Sequence, residues 1–246
     1  MIAKHITSLQ HPIVKHAVLL RTDPSYRKEK EGVLISGDKM IKELYEYIPF
    51  KRLFINGQAP DSFSAKEGVF HVTQEMMKKI TGLKSPEIYA AELDFYFEPT
   101  LKNHDKWLII DQVNDPGNLG TILRTALALK WSAVFLIDGS VDPFNEKSLR
   151  AAKGSTFHLP LYKGSWEEIV SHLQKTNTPI LIADKEGKDL KGFVKKSSLA
   201  LVLGHEGHGV NKEVTSSFEK ISIAMSEKTE SLNVAIAGAI MMYELR

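Results

Sequence analysis

The chain has 246 residues, 43% apolar and 25% charged, with a net charge of +2; this is the composition of a globular protein with room for one large or two modest cores. It contains no cysteine, which excludes a disulfide framework, a thiolate metal site and a cysteine nucleophile, and suits a reducing, cytoplasmic compartment. The N-terminus lacks the basic-then-apolar layout of a secretory signal, and no apolar run approaches the ~18–20 residues of a bilayer crossing, so no membrane association is expected.

Charge is unevenly placed. Residues 1–30 carry Lys4, Lys15, Arg21, Arg27, Lys28 and Lys30 against Asp23 and Glu29, with His5, His11 and His16 nearby. Such a basic arm can neutralise phosphates, and it reads equally well as the solvated face of a helix. Residues 9–30 have helical spacing interrupted at Pro12 and Pro24, where a missing N–H stops or restarts a helix. A strand is predicted at 33–36, then a helix at 38–47 with Asp38 as its N-cap. A short strand at 52–55 ends on the turn pair Asn56-Gly57. Strand 69–72, a helix at 74–81 closed by Gly82, and an extended stretch at 88–97 follow. Strands alternating with helices predict a small layered α/β domain over residues 1–98. The polar run from Glu98 to Asp105, which includes Pro99, marks its boundary with a second domain over 106–246.

The second half alternates more cleanly. Strands are predicted at 107–111, 133–137, 180–183, 199–203 and 220–224, with helices at 119–129, 145–152, 166–175, 212–218 and 232–245. Apolar strands separated by helices predict an α/β fold with a mostly parallel sheet covered on both faces. The last helix is apolar nearly all round, from Leu232 through Ile236, Ile240 and Met241 to Leu245. Such a helix is buried on all sides. Because the chain has few residues left to cover it, a second subunit is expected, with Gly238 and the flanking alanines allowing another helix close approach.

Three polar loops follow strands of this sheet and should gather at its carboxyl edge, where open α/β sheets bind ligands. The first lies in Asp111-Gln-Val-Asn-Asp-Pro-Gly-Asn-Leu-Gly-Thr-Ile-Leu-Arg-Thr-Ala126, with Asn118 at the expected N-cap and Arg124 six residues on. The second is Leu203-Gly204-His205-Glu206-Gly207-His208-Gly209-Val210, whose glycines let the backbone approach a ligand closely. A metal reading would use His205, Glu206 and His208, but the i, i+4 histidine spacing is absent and no metal is expected. The third runs from Ala224 to Asn233; Ser231 is a candidate cap for the last helix, and Asn233 within that helix needs a hydrogen-bond partner. Neither a dinucleotide fingerprint nor a phosphate loop is present.

These loops resemble, in this order, the signatures of the SpoU (TrmH-like) branch of the SPOUT RNA 2′-O-ribose methyltransferases. Asn114, Asn118-Leu-Gly120 and Arg124-Thr-Ala126 match the first, Leu203 to Gly209 the second, and Ser231-Leu-Asn-Val-Ala-Ile-Ala237 the third. Residues 31–44 resemble, more loosely, the family's ribosomal-protein-L30e-like substrate-binding domain. The resemblance implies a SPOUT fold with a deep trefoil knot, a small L30e-like domain before it, and a homodimer packed through the C-terminal domain. It implies S-adenosyl-L-methionine as cofactor, held by Gly204, Ile223 and Leu232, with neighbouring Met225.

The resemblance also places Arg124 beside the ribose 2′-hydroxyl. A guanidinium stays protonated in proteins, so the expected role of Arg124 is to stabilise the developing alkoxide, with an RNA phosphate or water taking the proton. Glu206 would orient Arg124 or the ribose; Asn118, Ser231 and Asn233 would hold the loops and the target nucleotide. The expected substrate is ribosomal RNA, 23S in particular, with transfer RNA as the alternative. A second class of function is a non-catalytic RNA-binding protein on the same scaffold. A Rossmann-type methyltransferase is disfavoured, because its acidic-glycine first loop is missing. Tyr26, Tyr45, Tyr47 and Phe54 could stack on bases or fill a core.

Overall fold

The computed structural model describes residues 4–58, 63–95, 97–205, 207, 209–210 and 216–246. The chain divides into two units, Met1–Tyr96 with Phe144–Arg150, and Phe97–Pro143 with Ala151–Arg246. Phe144–Arg150, read from sequence as part of the second domain, groups with the first unit. There the Phe144 ring packs on Phe95 at 4.4 Å and Glu146 accepts a hydrogen bond from Arg21 at 2.9 Å.

In the first unit, Pro12 and Pro24 become the opening residues of α1 (Pro12–Thr22) and α2 (Pro24–Lys30), the position where a missing N–H costs nothing. Asp23 caps α2, accepting from Ser25 N at 2.8 Å and Tyr26 N at 3.1 Å. The strands are β1 (Lys4–His5), β2 (Gly32–Ser36), β3 (Phe50–Ile55), β4 (Gly68–His71) and β5 (Tyr89–Asp94). They form one sheet in the order β1-β4-β3-β5-β2, with β5 antiparallel to both its neighbours. α3 (Asp38–Tyr45) and α4 (Gln74–Thr81) complete the unit, and Gly82 closes α4 at φ +70° as expected. One cap differs. Gly37 occupies the N-cap of α3, and Asp38 instead accepts from Tyr89 N at 3.1 Å, tying the helix start to β5.

A buried carboxylate organises this sheet. Glu92 on β5 is 1% exposed and meets His16 Nε2 at 3.0 Å and Arg52 Nη1 at 2.5 Å, while Arg52 also bridges to Glu67. Burial pushes the Glu92 carboxyl up, but hydrogen bonds and charge from His16 and Arg52 outweigh it and hold the carboxyl below its usual range. A depressed carboxylate stabilises the fold at neutral pH and loses that contribution as pH falls below about 4.5 through the folded-state value. Arg52→Met leaves a buried charge with one partner removed, so a loss of about 3 kcal/mol is expected. Urea unfolding at pH 7 measures it, and the deficit should shrink towards acid pH as Glu92 protonates.

The second unit holds β6 (Lys106–Ile110), β7 (Ala133–Ile137), β8 (Leu161–Gly164), β9 (Ile180–Asp189), β10 (Leu199–Leu203) and β11 (Glu219–Ser222). They form one sheet, β11-β9-β10-β6-β7-β8, with every pairing parallel. Its helices are α5 (Pro116–Ala128), α7 (Trp166–Lys175) and α8 (Val234–Leu245); α6 (Glu146–Ala152) spans the boundary between the two units. β8 falls in a stretch for which the sequence predicts no element. β9 was expected to end at residue 183 but continues through the polar run to Asp189, pairing with Ile221 and Ser222 of β11. Gly187 makes this possible, since a Cβ there would meet Ile221 N at 2.5 Å. Of the helix expected at 212–218, residues 212–215 lie outside the described residues, and Ser216 and Ser217 form a turn.

α8 starts two residues later than expected and packs on α5. The two helices run parallel: Asn233 at the head of α8 bonds Asn118 near the head of α5, and Trp131 just past α5 donates to Met242 O. Val234, Ala235, Gly238, Met241, Met242 and Leu245 are buried, whereas Ile236, Ile240 and Tyr243 are 52%, 39% and 52% exposed. Among the described residues the helix is therefore covered on one side only. Gly238 seats a strand rather than a helix, for its Cβ would lie 2.6 Å from Leu203 Cδ1 of β10. No helix among the described residues is long and apolar enough to cross a membrane.

Candidate active site

Because the second sheet is parallel throughout, the carboxyl ends of β6, β10 and β11 share one edge, and each leads into one of the polar loops. The roots of the first two loops are joined directly, Asp111 N donating to Leu203 O at 2.8 Å. The Asp111 side chain is 2% exposed and accepts from Trp166 Nε1 at 3.3 Å.

The first loop ends on a different cap from the one expected. Asp115 is the N-cap of α5, accepting from Asn118 N at 2.8 Å, with Pro116 as the first helical residue. Asn118 therefore sits inside the first turn, and its side-chain oxygen faces the third loop, accepting from Asn233 Nδ2 at 3.0 Å. The signal was in the sequence: Asp followed by Pro is an N-cap followed by its favoured first residue. Asn233 is likewise a cap rather than an interior residue. Its Oδ1 accepts from Ala235 N at 2.9 Å and Ile236 N at 3.3 Å, so the capping role considered for Ser231 falls to Asn233. One amide thus serves two ends, fixing α8 with its oxygen and the first loop with its nitrogen. Asn233→Ala removes both and is expected to cost about 1–2 kcal/mol, measurable as a lower urea midpoint at unchanged m-value.

The second loop is a tight turn. His205 and Gly209 exchange backbone hydrogen bonds of 3.1 and 2.9 Å, and His205 Nδ1 accepts from Gly207 N at 2.9 Å. Gly204 precedes this turn so closely that a Cβ would meet Gly209 C and Val210 Cγ2, each at 2.6 Å. Glu206 and His208 lie outside the described residues.

A cleft of about 500 Å³ opens against the second and third loops, the size of a small-molecule site. Gly204, Ile223, Met225, Ser231 and Leu232 all line it. Asn118 and Asn233 form the bridge between the first and third loops, Asn233 lying between two lining residues, Leu232 and Val234. Arg124 stands one and a half turns further along α5, exposed, with no hydrogen-bond or ion-pair partner among the described residues. Sequence reading missed an ion pair on the cleft wall, Lys220 Nζ to Asp184 Oδ2 at 2.7 Å. The hydrogen bond and charge of Asp184 hold the Lys220 ammonium above its usual range.

Residues 105–243 match the model of the SpoU rRNA Methylase family. The chain belongs to the SpoU rRNA methylase family. Among SpoU relatives, the 23S rRNA (guanosine(2553)-2′-O)-methyltransferase RlmP of Bacillus subtilis is 31% identical over 248 residues, covering 99% of both chains. The 23S rRNA (adenosine(1067)-2′-O)-methyltransferase of Streptomyces azureus is 31% identical over 145 residues, covering 56% of this chain and 52% of its own. Among solved structures, an AdoMet-bound rRNA methyltransferase from Sinorhizobium meliloti superposes with a TM-score of 0.87 at 26% identity, covering 99% of this chain and 97% of the other. The family match covers the parallel sheet and the three loops, the part of the chain that carries the cleft.

Proposed function

We propose that this SpoU family member is an S-adenosyl-L-methionine-dependent RNA methyltransferase that transfers a methyl group to a ribose 2′-hydroxyl, in 23S ribosomal RNA, as a cytoplasmic homodimer. The observation that carries the reading is the Asn118–Asn233 hydrogen bond, which ties the first and third loops together beside the cleft. The cleft fits the cofactor in volume and in chemistry: Gly204 offers backbone at close range, Ile223, Met225 and Leu232 offer apolar surface, and charged side chains of β9 and β11 also line it. The bound cofactor supplies an electrophilic sulfonium methyl.

The remaining work falls to residues of this chain. Aligning oxygen, carbon and sulfur for an in-line displacement requires loops fixed against one another, which the Asn118–Asn233 bond and the Asp111–Leu203 bond provide. Arg124 is unpaired among the described residues and available to a ribose hydroxyl, where its fixed charge stabilises the forming alkoxide; water or an RNA phosphate takes the proton. Ser231 and Asn233 hold the target nucleotide, and Glu206 orients Arg124 or the ribose.

Residues 1–98 serve in this proposal as an L30e-like RNA-binding domain. The deep trefoil knot of SPOUT proteins also belongs to it, on the strength of the family match over residues 105–243. The homodimer is supported by the exposed apolar side of α8, Ile236, Ile240 and Tyr243; a monomer mass in sedimentation at micromolar concentration would remove it. The relatives' names specify both a guanosine and an adenosine, so the target base is left to experiment.

The test is incubation with methyl-tritiated cofactor and either 23S ribosomal RNA or transfer RNA, followed by nuclease digestion and nucleoside analysis. Label in a 2′-O-methyl nucleoside from 23S RNA is expected. Label from transfer RNA alone would reassign the substrate, and RNA binding without label would favour the non-catalytic class.

A further inference from the structure

The wall of the cleft furthest from the first loop is built from β9 and β11, the two strands at one end of the sheet. It carries Asp184, Lys185 and Glu186 on the extension of β9 and Lys220 and Ser222 on β11, all lining the cleft. This wall is firmly constructed. Asp184 Oδ2 meets Lys220 Nζ at 2.7 Å, and Asp184 Oδ1 accepts from Glu186 N at 2.9 Å. Ser222 Oγ donates to Gly187 O at 2.9 Å, and the two strands are so close at Gly187 that no Cβ fits. Leu203, Val234 and Met241, which also line the cleft, are nearly fully buried. The β9–β11 wall therefore carries both signs of charge, while β10 and α8 contribute apolar lining and the second and third loops add His205, Glu230 and Ser231.

A ligand that fills such a cleft must itself be split, apolar at one end and zwitterionic at the other. The cofactor proposed above is split in this way: a purine at one end, an α-ammonium and α-carboxylate at the other. A ribose diol requires hydrogen-bond acceptors but no cation, whereas an amino-acid zwitterion requires an anion and a cation side by side. Lys220 and Asp184 provide that pair. Their side chains are 32% and 27% exposed, and both residues line the cleft.

We infer that the Lys220–Asp184 pair is the subsite for the amino-acid end of the cofactor, Lys220 receiving the α-carboxylate and Asp184 the α-ammonium. The inference rests on the cofactor reading of the cleft. It also fixes direction, for with the amino acid against β9 and β11 the purine occupies the apolar side formed by β10 and α8. Ligand contacts of this charge-assisted kind are stronger than neutral ones, so their loss should be visible in affinity.

Calorimetry on the full-length protein tests it, using S-adenosylhomocysteine as the whole ligand and 5′-methylthioadenosine as the same nucleoside without the amino acid. Lys220→Met is expected to weaken S-adenosylhomocysteine by about 10–30-fold, a loss of about 1.4–2 kcal/mol, and to leave 5′-methylthioadenosine unchanged. Asp184→Asn, which preserves shape, should show the same selectivity and guards against a folding defect in the first variant. Equal loss for both ligands would assign the pair to the nucleoside, and unchanged affinity for both would remove it from the site; either overturns the inference while the cofactor reading stands. If the wild-type protein binds neither ligand, the cofactor reading itself fails and takes the inference with it.

Discussion

Arg124→Ala is expected to lower single-turnover methyl transfer by about 10²–10³-fold, the usual consequence of removing one donor aimed at developing negative charge, while leaving cofactor affinity and thermal stability unchanged. The separation of these effects follows from where the residue sits. Arg124 is exposed on α5, has no ion-pair or hydrogen-bond partner among the described residues, and does not line the cleft. Among the described residues, truncating it therefore opens no cavity and orphans no charge. Its cost appears only when an alkoxide forms. Arg124→Lys keeps the charge but loses the planar fork, so an intermediate rate is expected. Calorimetry with S-adenosylhomocysteine, a thermal melt and a rapid-quench assay on the RNA substrate measure the three quantities. A rate near wild type would end the assignment, and a parallel fall in cofactor affinity would place Arg124 in the binding site instead. Its exposure also bears on the proposed dimer. α5 lies beside α8, whose outer side presents Ile236, Ile240 and Tyr243, so a second copy seated there would approach the helix that carries Arg124.

What the sequence reveals about this fold depends on how many sides of each element are buried. The strands at 133–137 and 199–203, and 107–110 within β6, are covered on both faces and read as unbroken apolar runs. β8 buries only Leu161 and Tyr162, too short a signal to separate from a loop. The polar half of β9 resembles a turn because its partner, β11, lies far along the chain and the close approach at Gly187 is a tertiary fact. The same limit applies within the site. Gly204, Ile223, Met225 and Leu232 were named from family likeness and line one cleft, whereas the Lys220–Asp184 pair depends on that strand extension and carries no local pattern. Caps failed for a different reason. Asp115 and Asn118, like Ser231 and Asn233, are competing capping residues a few positions apart; Pro116 after Asp115 decides the first pair, whereas no such neighbour decides the second. In both cases the residue set aside or misplaced proves to be half of the bridge between loops.

Gly204→Ala is expected to lower cofactor affinity at least 10-fold, together with a stability loss of about 1–3 kcal/mol, the usual cost of overpacking. The added methyl would lie 2.6 Å from Gly209 C and 2.7 Å from Val210 N, and those atoms are backbone, which cannot rotate aside as a side chain can. They are held by the paired hydrogen bonds between His205 and Gly209 and by the His205 ring accepting from Gly207 N. The turn must therefore open as a unit, moving the cleft wall with it. Gly209→Ala separates this effect from simple backbone strain. Its φ is +70° but among the described residues nothing lies within 4 Å of the new Cβ, so only the left-handed penalty of about 1 kcal/mol is expected. The two variants should differ little in melting temperature and widely in cofactor affinity. If Gly204→Ala binds S-adenosylhomocysteine as the wild type does, the second loop is not in contact with the ligand, and the cleft loses the backbone side on which the cofactor reading depends.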